Sequence, residues 1–228
     1  MTITAYTYHE HPLIENVETA FKLADENTSE ISDFAMGIPG MSGRKYRQFI
    51  NNYVRSLPNA RYLEVGTWLG STLCSAIDGI DNIEAVAIDN FSYGGATMEQ
   101  VNDHVTNTCK DLDKITVLDQ RFEDFDFTAH GKFNVYLYDG AHGEEDQYLG
   151  IVRANPALAD VALIVVDDWN KGSGENNGVQ DGTYRGLNDA GLEVMYKIDI
   201  DTGITSGAGG GVASDWHCGY GIFLVRHK

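Results

Sequence analysis

One stretch of this 228-residue chain decides its fold: Tyr62-Leu63-Glu64-Val65-Gly66-Thr67-Trp68-Leu69-Gly70-Ser71-Thr72. The run from Tyr62 to Val65 is typical of a buried strand, and the residues after Gly70 can begin a helix. Gly66 and Gly70 permit a tight turn between the two, and they let the backbone approach a ligand closely. The stretch therefore predicts a strand–turn–helix unit of the kind that binds nucleotides.

Further apolar runs follow on the C-terminal side of this turn. They are Ile83 to Ile88, Ile115 to Leu118, Phe133 to Tyr138 and Val161 to Val166. The intervals of roughly 15 to 25 residues are long enough for a crossover helix each. Continuous apolar runs indicate strands that are covered on both faces. Strands that alternate with helices predict a parallel sheet with right-handed crossovers.

The last two apolar runs are joined differently. A glycine-rich, non-helical loop, Thr202 to Gly219, lies between Leu192 to Ile198 and Gly221 to Val225, which predicts an antiparallel hairpin. We therefore expect an α/β fold with a doubly wound, mostly parallel seven-stranded sheet that ends in this hairpin. The loop, with Trp216 and His217 near its end, could cover a ligand pocket.

Two amphipathic helices are predicted before the turn. Apolar residues recur at helical spacing over residues 13–24, and again from Ser42, a candidate N-cap, to a point before Pro58. A turn-rich connector, Gly37 to Gly43, lies between them. We expect residues 1–41 to form an N-terminal helical decoration or lid, and the first helix could equally form a contact in a homo-oligomer.

The composition is strongly acidic, with 34 Asp and Glu against 16 Lys and Arg and a net charge of −18. This charge repels phosphate backbones and anionic lipids, so we expect neither a nucleic-acid nor a membrane partner. The basic cluster Arg44 to Arg47 is interpreted as the polar face of a helix. Three cysteines without CxxC spacing, and no signal-peptide or membrane-length apolar run, favour a cytoplasmic protein.

Acidic residues stand where four of the predicted strands end. They are Glu64, Asp89, Asp139 and the pair Asp167-Asp168. Ligands of open α/β sheets bind outside the carboxyl ends of the strands. Asp89 follows Gly66 by 23 residues, near the spacing of about 20 at which a carboxylate reaches a ribose. Trp68 occupies the place of the second glycine of the dinucleotide motif, so a nucleoside site is favoured over a dinucleotide site.

Taken in order, the turn from Glu64 to Ser71, Asp89, Asp139-Gly140-Ala141-His142 and Val165-Val166-Asp167-Asp168 resemble class I S-adenosylmethionine-dependent methyltransferases. More closely, they resemble the metal-dependent O-methyltransferase branch, which includes the catechol type and the macrolide-sugar type. The resemblance runs from about Ser42 to the C-terminus. It implies that residues 42–228 form the S-adenosylmethionine-binding domain and that the last strand is antiparallel.

The resemblance also implies a cofactor site. Glu64 and Gly66 would line the methionine part, Asp89 would hold the ribose, and residues 120–122 would lie near the adenine. The full set of expected cofactor-binding residues is Glu64, Gly66, Thr67, Trp68, Gly70, Ser71, Thr72, Asp89, Asn90, Gln120, Arg121, Phe122 and Asp139.

Asp139, Asp167 and Asp168 match the metal ligands of the family. They follow two apolar runs that should form neighbouring strands, so three carboxylates would converge, and Mg²⁺ would relieve their repulsion. The alternative is that Asp168 faces solvent and Asp139 only caps the next helix. His142 matches the family's general base, which gives His142 and Asp139 as the expected catalytic residues.

The sequence thus predicts metal-assisted O-methylation of a small hydroxylated molecule, such as a sugar, a polyol or a phenol. One alternative is a methyltransferase of the same fold without metal, in which Asp139 and Asp167 contact the substrate. Another is a non-catalytic protein of this fold that binds S-adenosylmethionine or serves assembly. A nicotinamide oxidoreductase is disfavoured by Trp68.

Overall fold

The computed structural model describes residues 1–170, 177–205 and 214–228. Its strands are β1 (Thr2–Thr7), β2 (Ala60–Val65), β3 (Ile83–Asp89), β4 (Ile115–Asp119), β5 (Phe133–Tyr138), β6 (Leu158–Val166), β7 (Leu192–Asp201) and β8 (Tyr220–His227). Its α-helices are α1 (Leu13–Asp25), α2 (Asp33–Gly37), α3 (Arg44–Arg55), α4 (Ser71–Ile77), α5 (Met98–Thr108), α6 (Glu144–Ala154) and α7 (Gly178–Asp189).

The described residues fall into two compact units. Unit 1 contains residues 1–11, 126–170, 177–205 and 217–228, and unit 2 contains residues 12–125 and 214–216. The expected division at residue 41 between a decoration and a cofactor domain stays a prediction.

Unit 2 contains the three parallel strands β2, β3 and β4, in that order. Val65 pairs with Ile88 and Asp89 pairs with Asp119, so the carboxyl ends of the three strands meet at one edge. Helix α5 begins with a capping box between Thr97 and Gln100. Helices α1 and α3 bury their apolar faces against each other, as their helical spacing predicts.

Unit 1 contains the strand order β1-β7-β8-β6-β5. Strands β5 and β6 are parallel. Strand β8 pairs antiparallel with both β6 and β7, and β1 pairs antiparallel with β7. Strands β7 and β8 form the predicted C-terminal hairpin, with Ile200 opposite Tyr220. The α/β fold class and the seven predicted strands are confirmed.

Strand β1 is an eighth strand that the sequence did not predict. Among the described strands it lies at the edge and pairs with β7 alone, with Thr2 opposite Asp201 and Thr7 opposite Tyr196. No residue of β1 is buried, because an edge strand is held mainly by backbone hydrogen bonds to one neighbour. Backbone hydrogen bonds leave no hydrophobic pattern in the sequence, so periodicity could not predict this strand.

Two local predictions near α3 were wrong. Gly43, not Ser42, is the N-cap of α3. Arg47 does not lie on a polar face: its side chain is fully buried, and its Nη1 donates to the carbonyl oxygens of Met36 and Ile38 at 3.1 and 2.8 Å. When a helix packs against protein on two faces, a long polar side chain can be buried at a position where the hydrophobic periodicity predicts exposure.

Cys74, Cys109 and Cys218 all lie in the described part of the chain, are buried, and form no disulfide. In the three described ranges, every helix falls short of the length and apolarity that crossing a bilayer requires.

Candidate active site

The turn between β2 and α4 is held by the carboxylate of Asp89. Asp89 Oδ2 accepts from the backbone N–H of Trp68 and Asp89 Oδ1 accepts from that of Phe91, both at 2.7 Å. The backbone N–H of Gly66 donates to the carbonyl oxygen of Ile88 at 2.9 Å. The end of β3 thus fixes the turn that follows β2, and Asp89 lies where the sequence predicted it, beside the glycine turn.

Glu64 lies inside β2 and is fully buried. Tyr62 Oη donates to Glu64 Oε2 at 2.5 Å. Burial, which disfavours the charged form, raises the pKa of Glu64 from 4.5 to about 8. Its carboxyl group therefore stays protonated at neutral pH unless a cation comes close.

A buried polar cluster that the sequence did not predict lies at the start of α4. Arg47 Nε donates to Ser42 Oγ at 2.9 Å, and Ser42 Oγ is 3.3 Å from Ser71 Oγ. A Cβ on Gly40 would lie 1.9 Å from Ser71 Oγ, so the connector approaches α4 as closely as a glycine allows. Thr67 and Thr72, which were also expected at the cofactor site, are buried in the same region.

The residues expected near the adenine lie partly beside Asp89. The backbone N–H of Gln120 donates to the carbonyl oxygen of Asp89 at 2.9 Å, which places the chain after β4 next to the turn. Asn90 follows Asp89 and accepts from Ser92. Arg121 is exposed and pairs with Glu123 at 3.2 Å, and Phe122 begins a short 3-10 turn.

In unit 1, Asp139 and Asp167 come together as predicted. They follow Tyr138 and Val166, which are paired in the parallel register of β5 and β6. This register places the two side chains at the same edge of the sheet. Burial and then repulsion from Asp168 raise the pKa of Asp167 from 3.8 to about 7.

His142 contacts the third carboxylate: its Nε2 lies 3.2 Å from Asp168 Oδ2. Asp168 is only 9% exposed, and α6 has Gly143 as its N-cap. The alternative in which Asp168 faces solvent and Asp139 caps the next helix is therefore not what is observed.

His217 and Cys218 also reach Asp168, and sequence reasoning missed this. One potential ligand atom from each of Asp168, His217 and Cys218 lies within 4.8 Å of the other two. Pairing of β6 with β8 brings them together, which no local sequence signal records. Of the loop expected to cover a pocket, residues 206–213 lie outside the described ranges, and Trp216 stacks on Phe21 in unit 2 at 5.2 Å.

Left-handed backbone conformations are found mainly at the strand ends that carry the candidate site residues. Trp68, Phe91, Asp168 and His217 have φ of 46°, 49°, 53° and 42°, and among the described non-glycine residues only Asn27 joins them. Such conformations are strained for residues with a Cβ and occur disproportionately at functional sites. The four residues lie just after β2, β3 and β6 and shortly before β8.

No model of a known protein family matches the chain, and no curated protein matches it. Solved structures do match it. The cofactor-bound protein Rv0187 from MTB is 19% identical, with a TM-score of 0.59 over 96% of this chain and 92% of that one. An O-methyltransferase from Bacillus cereus in complex with SAH is 13% identical, with a TM-score of 0.56 over 95% and 92%. A Methanococcus jannaschii fibrillarin pre-rRNA processing protein is 14% identical, with a TM-score of 0.51 over 74% and 66%.

This chain has the class I methyltransferase fold. At these identities the likeness establishes the fold alone. This likeness agrees with the resemblance noted for the strand-end acids. The matching structures include O-methyltransferases and a pre-rRNA processing protein.

Proposed function

We propose that this chain transfers the methyl group of S-adenosylmethionine to a hydroxyl oxygen of a small molecule, assisted by Mg²⁺. The observation that supports the proposal most is Asp89, whose two carboxylate oxygens tie down the glycine turn of a class I methyltransferase fold. A turn fixed in this way is preorganised for a nucleoside.

Unit 2 provides the groups proposed to hold the cofactor. Each oxygen of Asp89 accepts one backbone N–H and keeps a further acceptor position for a ribose hydroxyl. Buried Glu64 is proposed to face the methionine part, whose ammonium and sulfonium charges would favour the ionised carboxylate. Gln120 and its neighbours are proposed to line the adenine.

The carboxylates of unit 1 fit a hard divalent cation. Asp167 Oδ1 is buried and has no hydrogen-bond partner among the described residues. Burial, and then the neighbouring Asp168 carboxylate, raise the pKa of Asp167. Asp139, Asp167 and Asp168 would hold the ion, and bound Mg²⁺ would lower the pKa of a coordinated hydroxyl.

His142 is proposed to accept the proton of the substrate hydroxyl. Its contact with Asp168 at 3.2 Å fixes the ring. The substrate oxygen would then attack the methyl carbon in line, the bond between sulfur and methyl would break, and its electron pair would stay on sulfur. The products are the methyl ether and S-adenosylhomocysteine, and positioning supplies much of the rate.

The charge of the chain favours a small acceptor. A net charge of −18 repels a polyanion, and the free energy of binding nucleic acid comes largely from neutralising phosphates. A sugar, polyol or phenol carries no such penalty. We therefore propose a small hydroxylated acceptor rather than an RNA.

Calorimetric titration with S-adenosylmethionine, with Mg²⁺ and again after chelation, tests the proposal. We expect saturable binding in both conditions, and methyl transfer to a sugar or catechol acceptor only with Mg²⁺. Absence of cofactor binding in both conditions would contradict the proposed function, and NAD would be the next ligand to titrate.

One observation favours a second candidate, a methyltransferase of the same fold that needs no metal. His142 lies beside Asp168, so a protonated imidazole can supply the counter-charge without an ion. Asp139 and Asp167 would then contact the substrate directly. Methyl transfer that persists unchanged after chelation would support this candidate against the metal-assisted one.

A further inference from the structure

A mixed set of side chains meets beside the carboxylates of unit 1. Asp168 follows β6, whereas His217 and Cys218 come shortly before β8. Strands β6 and β8 are antiparallel neighbours with Val166 opposite Gly221, so the end of one strand lies at the start of the other. This pairing brings a carboxylate oxygen, an imidazole nitrogen and a thiol sulfur within 4.8 Å of one another.

These three side chains are shielded from water. Asp168 is 9% exposed, His217 5% and Cys218 1%. Burial of several polar groups in one place is unfavourable unless they bind each other or an ion. The cluster is therefore more than a chance meeting of surface residues.

The backbone around the cluster is firmly held. The N–H of Trp169 donates to the carbonyl oxygen of Gly219 at 3.2 Å, and that of Asn170 donates to the carbonyl oxygen of Cys218 at 3.0 Å. Thr202 Oγ1 donates to the carbonyl oxygen of His217 at 2.9 Å. The bonds fix the two segments that present the ligand atoms, as a preformed metal site requires.

The ligand chemistry differs from that of a magnesium site. Mg²⁺ binds oxygen ligands, whereas a thiolate with an imidazole and a carboxylate selects a borderline ion such as Zn²⁺. Three protein ligands around Zn²⁺ leave a fourth position open. Because a carboxylate has two oxygens, Asp168 can contact His142 with Oδ2 and still bind an ion.

We propose that Asp168, His217 and Cys218 form a site for a borderline transition-metal dication, with Zn²⁺ as the expected ion. The site shares Asp168 with the magnesium ligands proposed above, but its thiol and imidazole ligands favour a borderline ion over Mg²⁺. Metal binding by these three residues needs no methyl transfer. It can stand if the proposed function fails, and it can fail while that function stands.

Cobalt(II) is the spectroscopic probe, and the whole chain, chelator-treated and with its thiols reduced, is the sample. We expect saturation at one equivalent of Co²⁺, with a near-ultraviolet band from charge transfer between thiolate and cobalt. We expect Zn²⁺ to abolish the band stoichiometrically and a large excess of Mg²⁺ to leave it in place. No thiolate band at one equivalent, or loss of the band to Mg²⁺, would overturn the proposal.

Single-residue variants show which thiol gives rise to the charge-transfer band. Cys218→Ser should abolish it, and His217→Ala should weaken Co²⁺ binding more than about tenfold. Cys109→Ser is the matched control, because Cys109 is a buried thiol of unit 2 and should leave band and affinity unchanged. A band that survives Cys218→Ser would contradict the assignment, and thermal unfolding of each variant identifies one that fails to fold.

Discussion

At the scale of single residues, the strand-end acids differ in burial and therefore in what they can do. Glu64 is fully buried against Tyr62, and its pKa is raised to about 8. Asp89 is partly exposed and accepts two backbone hydrogen bonds. Residues of one chemical type thus provide a neutral buried group and a turn-fixing acceptor, because their surroundings differ.

Glu64 predicts a pH dependence of stability. Its pKa is 4.5 in the unfolded chain and about 8 in the folded one, so the folded state holds a proton that the unfolded state releases. The stability that this proton contributes is complete below pH 4.5 and is lost as the pH rises toward about 8. Between pH 5 and pH 8 the wild type should lose about 3 kcal/mol of unfolding free energy through this group.

Urea unfolding at the two pH values measures this loss. Glu64→Gln should reduce it, because the amide does not titrate. Glu84→Gln, which changes an exposed carboxylate on β3, is the control and should behave as the wild type. Equal pH dependence in Glu64→Gln and the wild type would show that Glu64 does not titrate in this way.

Asp167 predicts a separation of catalysis from cofactor binding. Asp167→Asn removes a charge from the proposed magnesium ligands, so we expect kcat to fall by about 100-fold or more. S-adenosylmethionine affinity, measured by calorimetry, should stay close to that of the wild type. Asp160→Asn, an exposed position on the same strand, is the control. Full activity of Asp167→Asn would refute the metal role.

At the scale of elements, a few hydrogen bonds to backbone carbonyl oxygens hold neighbouring segments together. The connector before α3 is held by Arg47, which donates to the carbonyl oxygens of Met36 and Ile38. The start of β8 is held to the residues after β6 through Gly219. In both places a buried backbone carbonyl would lose its partner if the contact opened.

Arg47→Lys should destabilise the chain by about 2–4 kcal/mol, because an ammonium group cannot replace all the bonds of the buried guanidinium. Since Ser42 lies between Arg47 and Ser71, cofactor affinity should fall as well. Arg44→Lys, an exposed position of the same helix, should change neither quantity. Chemical unfolding and calorimetry provide the two readouts, and equal stability of both variants would argue against a structural role for Arg47.

Gly219 allows the start of β8 to lie close to the residues that follow β6. Its φ is 84°, and an added Cβ would lie 2.2 Å from Asn170 Oδ1 and 2.3 Å from the carbonyl oxygen of Ile200. Gly219→Ala should therefore cost more than the roughly 1 kcal/mol that positive φ alone costs. Gly191→Ala isolates that smaller cost, because its φ is 66° and no described atom lies within 4 Å of the added Cβ. Similar thermal unfolding midpoints of the two variants would contradict the packing argument.

At the scale of the whole molecule, charge is the dominant feature. A net charge of −18 on 228 residues repels itself in the folded state, and salt screens that repulsion. Raising NaCl from about 0.05 to about 1 M, which shortens the screening length severalfold, should raise the thermal unfolding midpoint by about 2 °C or more. KCl should act alike if screening is the cause. A midpoint that falls with salt would show that attractive ion pairs outweigh the net repulsion.

The sequence by itself determined the alternation of strands and helices, the C-terminal hairpin and the acids at the strand ends. These follow from local information: hydrophobic periodicity, glycine position and residue type immediately after a strand. The turn at Gly66 and the pairing that aligns Asp139 with Asp167 could be predicted because parallel strands end at a common edge.

Only the tertiary structure decided which side chains from distant segments meet. It added strand β1, buried Arg47 where periodicity placed a polar face, and brought His217 and Cys218 to Asp168. It also set the burial that separates Glu64 from Asp89. The physical reason is the same in each case. The burial of a side chain and its contacts are set by strand pairing and packing between segments that lie far apart along the chain.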